Sequence, residues 1–292
     1  MKIFITGGTG FVGSHLTHKL VYNGHEVTVG SIKPENPVLE LPESVNREKI
    51  DITDSETLDF SDHDVVIHLV GLSPLKKPGI PYRKIHVEGT ENVLEECKQS
   101  EISRYIHMSA LGADPKASTE YLRTKGEAQK LVEESGLDWT VFQPSVIFGE
   151  GGQFLDFTEK LVTPYLTGLP GGGKNRFQPI YVEDIGDLFV ETVENDHHLN
   201  SIYEVGGSEI LTLKEIVKMI ERQKGRSLKV LPVPMFAAKT GLTVSEYLDF
   251  LPFGLDQYRS LKIDNVVRED SLEFFHKDRD ELLTLEEYLK DR

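Results

Sequence analysis

Lys2-Ile3-Phe4-Ile5-Thr6-Gly7-Gly8-Thr9-Gly10-Phe11-Val12-Gly13-Ser14-His15 is the stretch that decides the fold. A short apolar run passes into three spaced glycines, Gly8, Gly10 and Gly13, and then into an amphipathic segment from Phe11 to Leu20. Strand, turn and helix in that order suit a dinucleotide pyrophosphate. The first glycine makes the tight turn, and the second lets backbone N–H groups reach the phosphates. The third lets the helix pack closely on the strand, with the helix N-terminus facing the anion. Gly7, Thr9, Phe11 and Val12 complete the predicted cradle.

Outward from this turn, short β-rich runs alternate with helical patterns. Strands are predicted at 2–6, 25–30, 45–50, 64–69, 103–108 and 138–143, with helices near 11–23, 54–59, 84–99 and 117–136. Such alternation predicts an α/β fold, a Rossmann-type doubly wound parallel sheet, with ligands beyond the carboxyl ends of its strands. After Gly149 the rhythm changes. A helical stretch, Phe154–Thr167, precedes the loop Pro170-Gly171-Gly172-Gly173-Lys174, which lacks P-loop spacing and reads as a lid edge. A strand-like Phe177–Val182 and a helix Glu183–Glu194 follow, then Ser201–Val205 and a helix over Thr212–Gln223. The expected organisation is a nucleotide-binding domain over 1–150, rejoined by 178–200. A smaller, discontinuous C-terminal α/β lobe would comprise 151–177 and 201–292.

A chain of 292 residues with net charge -16 has no basic cluster, which excludes nucleic acid and anionic membrane surfaces as expected partners. The single cysteine, Cys97, permits no internal disulfide and reads as an inert core thiol. The longest apolar run, Val65–Leu72, contains His68 and is too short to span a bilayer. Without an evident signal sequence, a cytoplasmic protein with no integral membrane segment is expected. No metal site is expected, because His197-His198 is an adjacent pair in a loop, and loop neighbours seldom share one ion without further ligands.

Tyr121-Leu122-Arg123-Thr124-Lys125 places a phenol and an ammonium four apart, on one face of a helix. A nearby positive charge stabilises the phenolate, so the expectation is a phenol whose pKa falls and that works as general acid or base. The lysine also suits the cofactor's ribose. The same spacing occurs on ordinary solvated helices; its place after the fifth strand distinguishes this one.

With these residues the chain resembles the short-chain dehydrogenase/reductase superfamily, especially its atypical and extended members. The resemblance runs through Thr6–Gly13, Asp51-Ile52, His68-Leu69-Val70-Gly71, His86–Asn92, Tyr121–Lys125, Pro144–Gly149 and Gln178–Ile185. His107–Ala113, Pro144–Gly149 and Asp264-Asn265-Val266-Val267 make it most like the branch of the NADPH-binding 39-kDa-type subunit of respiratory complex I and epimerase-like relatives. The resemblance implies Tyr121, Lys125 and Ser109 as the catalytic set, Ser109 orienting the substrate oxygen. It adds Asp51 and Ile52 beside the adenine, though Asp51 equally suits an ordinary turn or helix cap, and Leu69, Val70, Gly71, Pro144 and Val146 to the cofactor contacts. The pattern is departed from at Ala110, which follows Ser109, and at His86, where an Asn is often found.

NAD-specific sites carry an acid after the second strand that takes the ribose 2′-OH and repels a 2′-phosphate. Here Ser31 and Lys33 stand there, so NADP(H) is favoured over NAD(H). Gln143 and Val146 replace the usual Arg and Asn of nucleotide-sugar epimerases. Phe236, Leu242, Tyr247, Leu248, Phe250, Leu251, Phe253 and Tyr258 instead suit core, a lipophilic or quinone-like substrate, or a partner surface. Three readings stand. The first is an oxidoreductase moving hydride to or from a carbonyl or alcohol of a small molecule. The second is a non-catalytic NADPH-binding accessory protein of a larger complex. The third is a nucleotide-sugar epimerase or dehydratase. A homodimer is the family-based expectation.

Overall fold

Near-continuous apolar runs form the centre of a parallel sheet, because helices cover both of its faces. Lys2–Thr6 (β1) is such a run, with Ile3, Phe4 and Ile5 fully buried. The computed structural model describes residues 1–73, 81–160, 162–163, 165–234 and 263–291. The eight apolar residues between Phe236 and Tyr258 named above lie outside them.

After β1 come α1 (Phe11–Tyr22), β2 (Glu26–Ser31), β3 (Asn46–Lys49), β4 (Val65–His68), α2 (Gly89–Gln99) and β5 (Arg104–Met108). They are followed by α3 (Glu120–Glu133), β6 (Asp138–Pro144), β7 (Ile147–Phe148), α4 (Gln153–Lys160), β8 (Leu166–Pro170), β9 (Arg176–Phe177) and β10 (Ile180–Tyr181). The remaining elements are α5 (Val182–Glu194), β11 (Ser201–Val205), β12 (Leu211–Thr212), α6 (Leu213–Gln223), β13 (Lys229–Val233) and α7 (Leu285–Asp291).

The main sheet has seven strands in the order β11-β6-β5-β4-β1-β2-β3, and β1 pairs in parallel with both β2 and β4. The strand order reverses at β1, which makes the carboxyl end of β1 the switch point where such sheets bind ligands. Register aligns Thr6 with Gly30 on one side and with His68 on the other, and His68 with His107. The outermost strand β3 is wholly polar and exposed, as suits a sheet edge. Beneath the sheet, Phe4, Phe60, Val66, Leu94, Cys97 and Tyr105 share one core cluster, and burial raises the Cys97 thiol's pKa.

The chain divides into two units. One holds Met1–Leu72, Pro81–Pro144 and Val182–Glu204; the other holds Ser145–Tyr181 and Val205–Arg292. Residues 145–150, 178–181 and 201–204 thus fall on the opposite side of the division from the sequence boundaries. Within the first unit, α1 is clamped to α5. His15 Nδ1 bonds the Glu183 carboxylate, and Lys19 pairs with Asp187 and, at 3.4 Å, with Glu183. In the second unit, Phe148, Phe154, Leu155, Ile216, Ile220, Leu285 and Leu289 form one cluster. Helix α6 carries a capping box from Thr212 to Glu215.

Several elements differ from expectation for local reasons. The helix near 54–59 is only a 3-10 turn, Ser55–Thr57, because Leu58 is extended and buried with Phe60 in the core. The helix over 84–99 begins as a π turn, Lys84–Glu88, before α2. The helix over Phe154–Thr167 ends at Lys160, since Leu166 and Thr167 pair in parallel with Lys229 and Val230 of β13. Phe177–Val182 is two short strands, and Val182 already belongs to α5. The loop Gly171–Gly173 is a turn of three left-handed glycines. Backbone bonds tie it to Leu169, Pro170, Val233 and Lys214.

A methyl group tests how tightly the first turn is built. At Gly13 a Cβ would lie 2.3 Å from the Gly7 oxygen and 2.7 Å from the Gly8 Cα, all rigid backbone. At Gly10 it would meet only the Gly7 oxygen, at 3.1 Å. Gly13→Ala is expected to destabilise the chain by about 2 kcal/mol or more, and Gly10→Ala by less than about 1 kcal/mol. Urea melts of the two variants check the difference.

Candidate cofactor and active site

The left-handed residue of the first turn is Gly7, at φ +79, and its N–H donates to Gly30 O at 2.8 Å. The sharp turn assigned above to Gly8 is therefore made by Gly7. Gly8 is required for a different reason, since a Cβ there would lie 2.5 Å from Val29 Cγ1. Gly10 is the N-cap of α1 without a side-chain cap, and Ser14 N is the donor that reaches back to its carbonyl at 2.9 Å. The N–H groups of Phe11, Val12 and Gly13 precede the first intrahelical bond, and no acid occupies that first turn. A helix start of this kind suits an anion. Thr9 O accepts from Val38 N at 2.9 Å, which holds the loop after β2 beside the turn. Val70 closes the other side, its Cγ2 3.1 Å from where a Gly7 Cβ would stand. Leu69 N donates to Thr6 O at 3.0 Å.

At the end of β2, Ser31 accepts from Lys33 N at 3.2 Å, and the Lys33 side chain is exposed. Register supplies a second cation that the sequence reading missed. Lys49, the last residue of β3, is the partner of Ser31 and so shares its face. A polar edge strand ending in lysine was the available signal. Asp51 is spent on a local turn, its Oδ1 accepting from Thr53 N and Oγ1, both at 2.9 Å. The Ile52 side chain is buried in the core against Gly89, so any contact with an adenine falls to its backbone.

Tyr121 and Lys125 lie on α3, which starts at the Thr119 cap. Lys125 is buried, donates from Nζ to Met108 O at 2.7 Å, and stands 3.2 Å from where a Gly71 Cβ would be. A side chain at Gly71 would crowd the ammonium. Burial pulls the Lys125 pKa down from 10.5 to about 8. The Tyr121 ring meets Tyr82 and His86 edge-on, at 5.9 and 5.6 Å between centroids. Its pKa is raised, first by burial and then by Tyr82. The expected lowering by Lys125 is therefore corrected: desolvation prevails, and the ammonium is directed to the Met108 carbonyl.

His86 is a buried positioning group. Its Nε2 accepts from Leu72 N at 3.0 Å, so Nδ1 carries the proton and donates to Thr124 Oγ1 at 2.9 Å. Burial, with Lys125 and His68 adding, lowers its pKa to about 2 and keeps the ring neutral. Ser109 follows β5, with its N–H on Phe142 O at 2.7 Å. Its Oγ is buried without a hydrogen-bond partner among the described residues. A hydroxyl held this way fits a ligand oxygen, because an unpaired buried polar atom is costly.

Two further histidines went unrecognised. His68 Nδ1 lies 2.6 Å from Thr6 Oγ1, and its Nε2 is 3.2 Å from Thr90 Oγ1, which itself donates to His86 O at 2.6 Å. His107 stacks on His68 at 5.4 Å. Burial first, then Lys125, lowers both pKa values, that of His68 to about 3. The polar residues ending three adjacent apolar strands were the signal for this row.

Pro144 ends β6, its carbonyl accepting from Leu111 N at 3.0 Å. Val146 is in the second unit, where its N–H goes to Asn265 Oδ1 at 2.9 Å and its carbonyl to Ile180 N at 3.0 Å. Ser145 Oγ also donates to Asn265 Oδ1, at 2.7 Å. The structure thus gathers the nucleotide turn, Val70, Gly71, Ser109, Tyr121 and Lys125 in the first unit and leaves Val146 in the other. Beside His197 and His198 the fold brings Glu191, one carboxylate oxygen and one ring nitrogen of each histidine lying within 4.8 Å of one another.

A glycine turn at the switch point of a seven-stranded, helix-covered parallel sheet defines an α/β protein of the Rossmann class, the class of dinucleotide-binding sheets. The model of the NAD dependent epimerase/dehydratase family matches residues 3–206, and the chain belongs to that family, within the extended short-chain dehydrogenase/reductases. NADH dehydrogenase (ubiquinone) 1 alpha subcomplex subunit 9, mitochondrial, of Arabidopsis thaliana is 28% identical over 92% of this chain and 72% of its own length. The NADH-ubiquinone oxidoreductase 40 kDa subunit, mitochondrial, of Neurospora crassa is 24% identical over 79% of this chain; the match spans only 62% of that relative. Among solved structures, a nucleoside-diphosphate-sugar epimerase of Staphylococcus aureus superposes with TM-score 0.73 at 20% identity, over 99% of this chain and all of that one. A UDP-glucose 4-epimerase of Thermotoga maritima with UDP-glucose gives 0.67 at 23%, over 80% and 86%. These two show a shared fold. No helix among the described residues is long and apolar enough to cross a membrane.

The lysine makes a stability prediction. Folded Lys125 titrates near 8 and unfolded lysine near 10.5, so between these values the unfolded chain holds more protons and stability rises with pH. Below pH 8 the penalty of about 3 kcal/mol is present in full. Lys125→Met, free of nucleotide, is expected to be more stable than the parent at pH 7. That advantage should shrink as the pH rises from 8 toward 10.5. Denaturant melts across this range would reject the account if the two curves ran parallel.

Proposed function

We propose that the first unit binds NADP(H) and that the chain is a reductase-type enzyme acting on a carbonyl or alcohol of a small molecule. The observation that carries this is Lys125: a buried ammonium held at a cost in stability, beside Gly71 and one helical turn from Tyr121. Folds retain such groups where function needs them. When bound, the nicotinamide supplies the hydride chemistry. The chain's own residues do the rest. The α1 N-terminus takes the pyrophosphate, Lys125 grips the ribose, and Ser109 Oγ orients the substrate oxygen.

Tyr121 is the proton donor. Its raised pKa keeps the phenol protonated at neutral pH, so it is poised to protonate a developing alkoxide, the direction of carbonyl reduction. Ser31, Lys33 and Lys49 select the 2′-phosphate, with no acid at the β2 end to repel it. The second unit is assigned to substrate or partner contacts. A nucleotide sugar is disfavoured, because Gln143 is buried and gives its Nε2 to Gln129 Oε1 at 2.7 Å, leaving no polar clamp there.

A second reading, an NADPH-holding accessory protein without turnover, is favoured by the names of the complex I relatives and by Ala110 beside Ser109. Mass spectrometry of the copurifying nucleotide, followed by nicotinamide absorbance against quinones, aldehydes, ketones and nucleotide sugars, separates the two. Turnover abolished by Tyr121→Phe supports the enzyme; tight NADPH binding without turnover on any panel supports the accessory protein.

The selector is tested separately. Lys33→Asp and Lys49→Asp are each expected to reduce the ratio of NADPH to NADH affinity by about tenfold or more. Unchanged ratios in both would remove these lysines from the site.

A further inference from the structure

The end of α5 and the turn after it gather three metal-ligating side chains. Glu191 lies in the last turn of α5, and His197 and His198 belong to the 3-10 turn Asp196–His198. One ligand atom from each lies within 4.8 Å of the others. His198 Nε2 and Glu191 Oε1 are 3.7 Å apart. Two ligands of a tetrahedral ion bound at about 2.0 Å stand about 3.3 Å from each other. A small rotation of the exposed His197 and the partly exposed Glu191 therefore closes the set.

His198 supplies the fixed point. Its ring is fully buried, and Nδ1 lies 2.9 Å from Tyr203 Oη on β11. With Nε2 on a metal, Nδ1 carries the proton and donates to that oxygen. A metal-bound imidazole is ordinarily oriented in this way, its second nitrogen held by an acceptor that sets the tautomer. The backbone is tied as well. Thr140 Oγ1 donates to His198 O at 2.6 Å, and Asn195 Nδ2 donates to Glu191 O at 3.0 Å.

We propose that Glu191, His197 and His198 form a binding site for a divalent transition-metal cation, Zn2+ in particular, with water completing the coordination. Two imidazoles and one carboxylate suit Zn2+, Co2+ or Ni2+. Mg2+ and Ca2+ call for oxygen ligands throughout. The ion joins α5, the 3-10 turn and, through Tyr203, β11, so it favours the folded first unit by mass action. The site is independent of the nucleotide chemistry assigned to the switch point.

The probe is Co2+, added to the full chain, stripped with chelator and carrying no polyhistidine tag. The expected result is saturable binding of one equivalent with visible ligand-field absorption, displaced by Zn2+ and raising the melting temperature. His197→Ala and Glu191→Gln are each expected to weaken Co2+ binding by about tenfold or more, and Tyr203→Phe by about tenfold. His197 is exposed, so its variant should keep the parent's circular dichroism. Absence of saturable binding by the parent, or binding left unchanged by either His197→Ala or Glu191→Gln, overturns the site.

Discussion

The close approach between the start of α1 and the end of β1 is the constraint on which the first unit is built. Gly13 sits so near the Gly7 and Gly8 backbone that a single methyl group would overlap it. That contact aims three free N–H groups beyond the carboxyl end of the sheet. The clamp from His15 and Lys19 to Glu183 and Asp187 then fixes α1 against α5. Hydrogen bonding to His15 holds the Glu183 carboxyl below its ordinary pKa, against the effect of burial, so the clamp contributes above the carboxylate range and fades as pH falls through it.

Around the same strand ends the structure concentrates groups that a purely stable fold would avoid. Lys125 is buried with its ammonium on one backbone carbonyl, and His68, His86 and His107 are kept neutral by burial and by that same ammonium. Hydrogen bonds give the His86 proton a defined place: Nδ1 donates to Thr124 Oγ1, and Nε2 accepts from Leu72 N. A neutral, tautomer-fixed histidine near the buried Lys125 ammonium is a preorganised polar group.

Legibility in the sequence followed locality. The strand–turn–helix and the Tyr121–Lys125 pair are short-range patterns and lie where the spacing puts them, while the alternation fails near 54–59, where a 3-10 turn replaces the expected helix. The assignment of the sharp turn to Gly8 missed because either of two adjacent glycines can take a positive φ, and only packing against Val29 distinguishes them. Lys49 was missed because its relation to Ser31 is a register between strands fifteen or more residues apart in sequence. Glu191 escaped notice beside His197-His198 because the helix end and the following turn had first to be folded together.

By itself the sequence determined the fold class, the glycine turn after the first strand and the residue types of the candidate site, since backbone periodicity and glycine sterics act within a few residues. Only the tertiary structure decided the charges. The Tyr121 phenol stays protonated and the Lys125 pKa falls, because desolvation depends on everything packed around a group and not on its neighbour four residues away. Tertiary structure also decided which polar atoms are spent and which wait. Asp51 and Gln143 are committed to internal bonds, whereas Ser109 Oγ is buried without a partner among the described residues. Hydrogen bonds between distant segments are settled by where the sheet and helices bring them, and spacing along the chain carries no record of that.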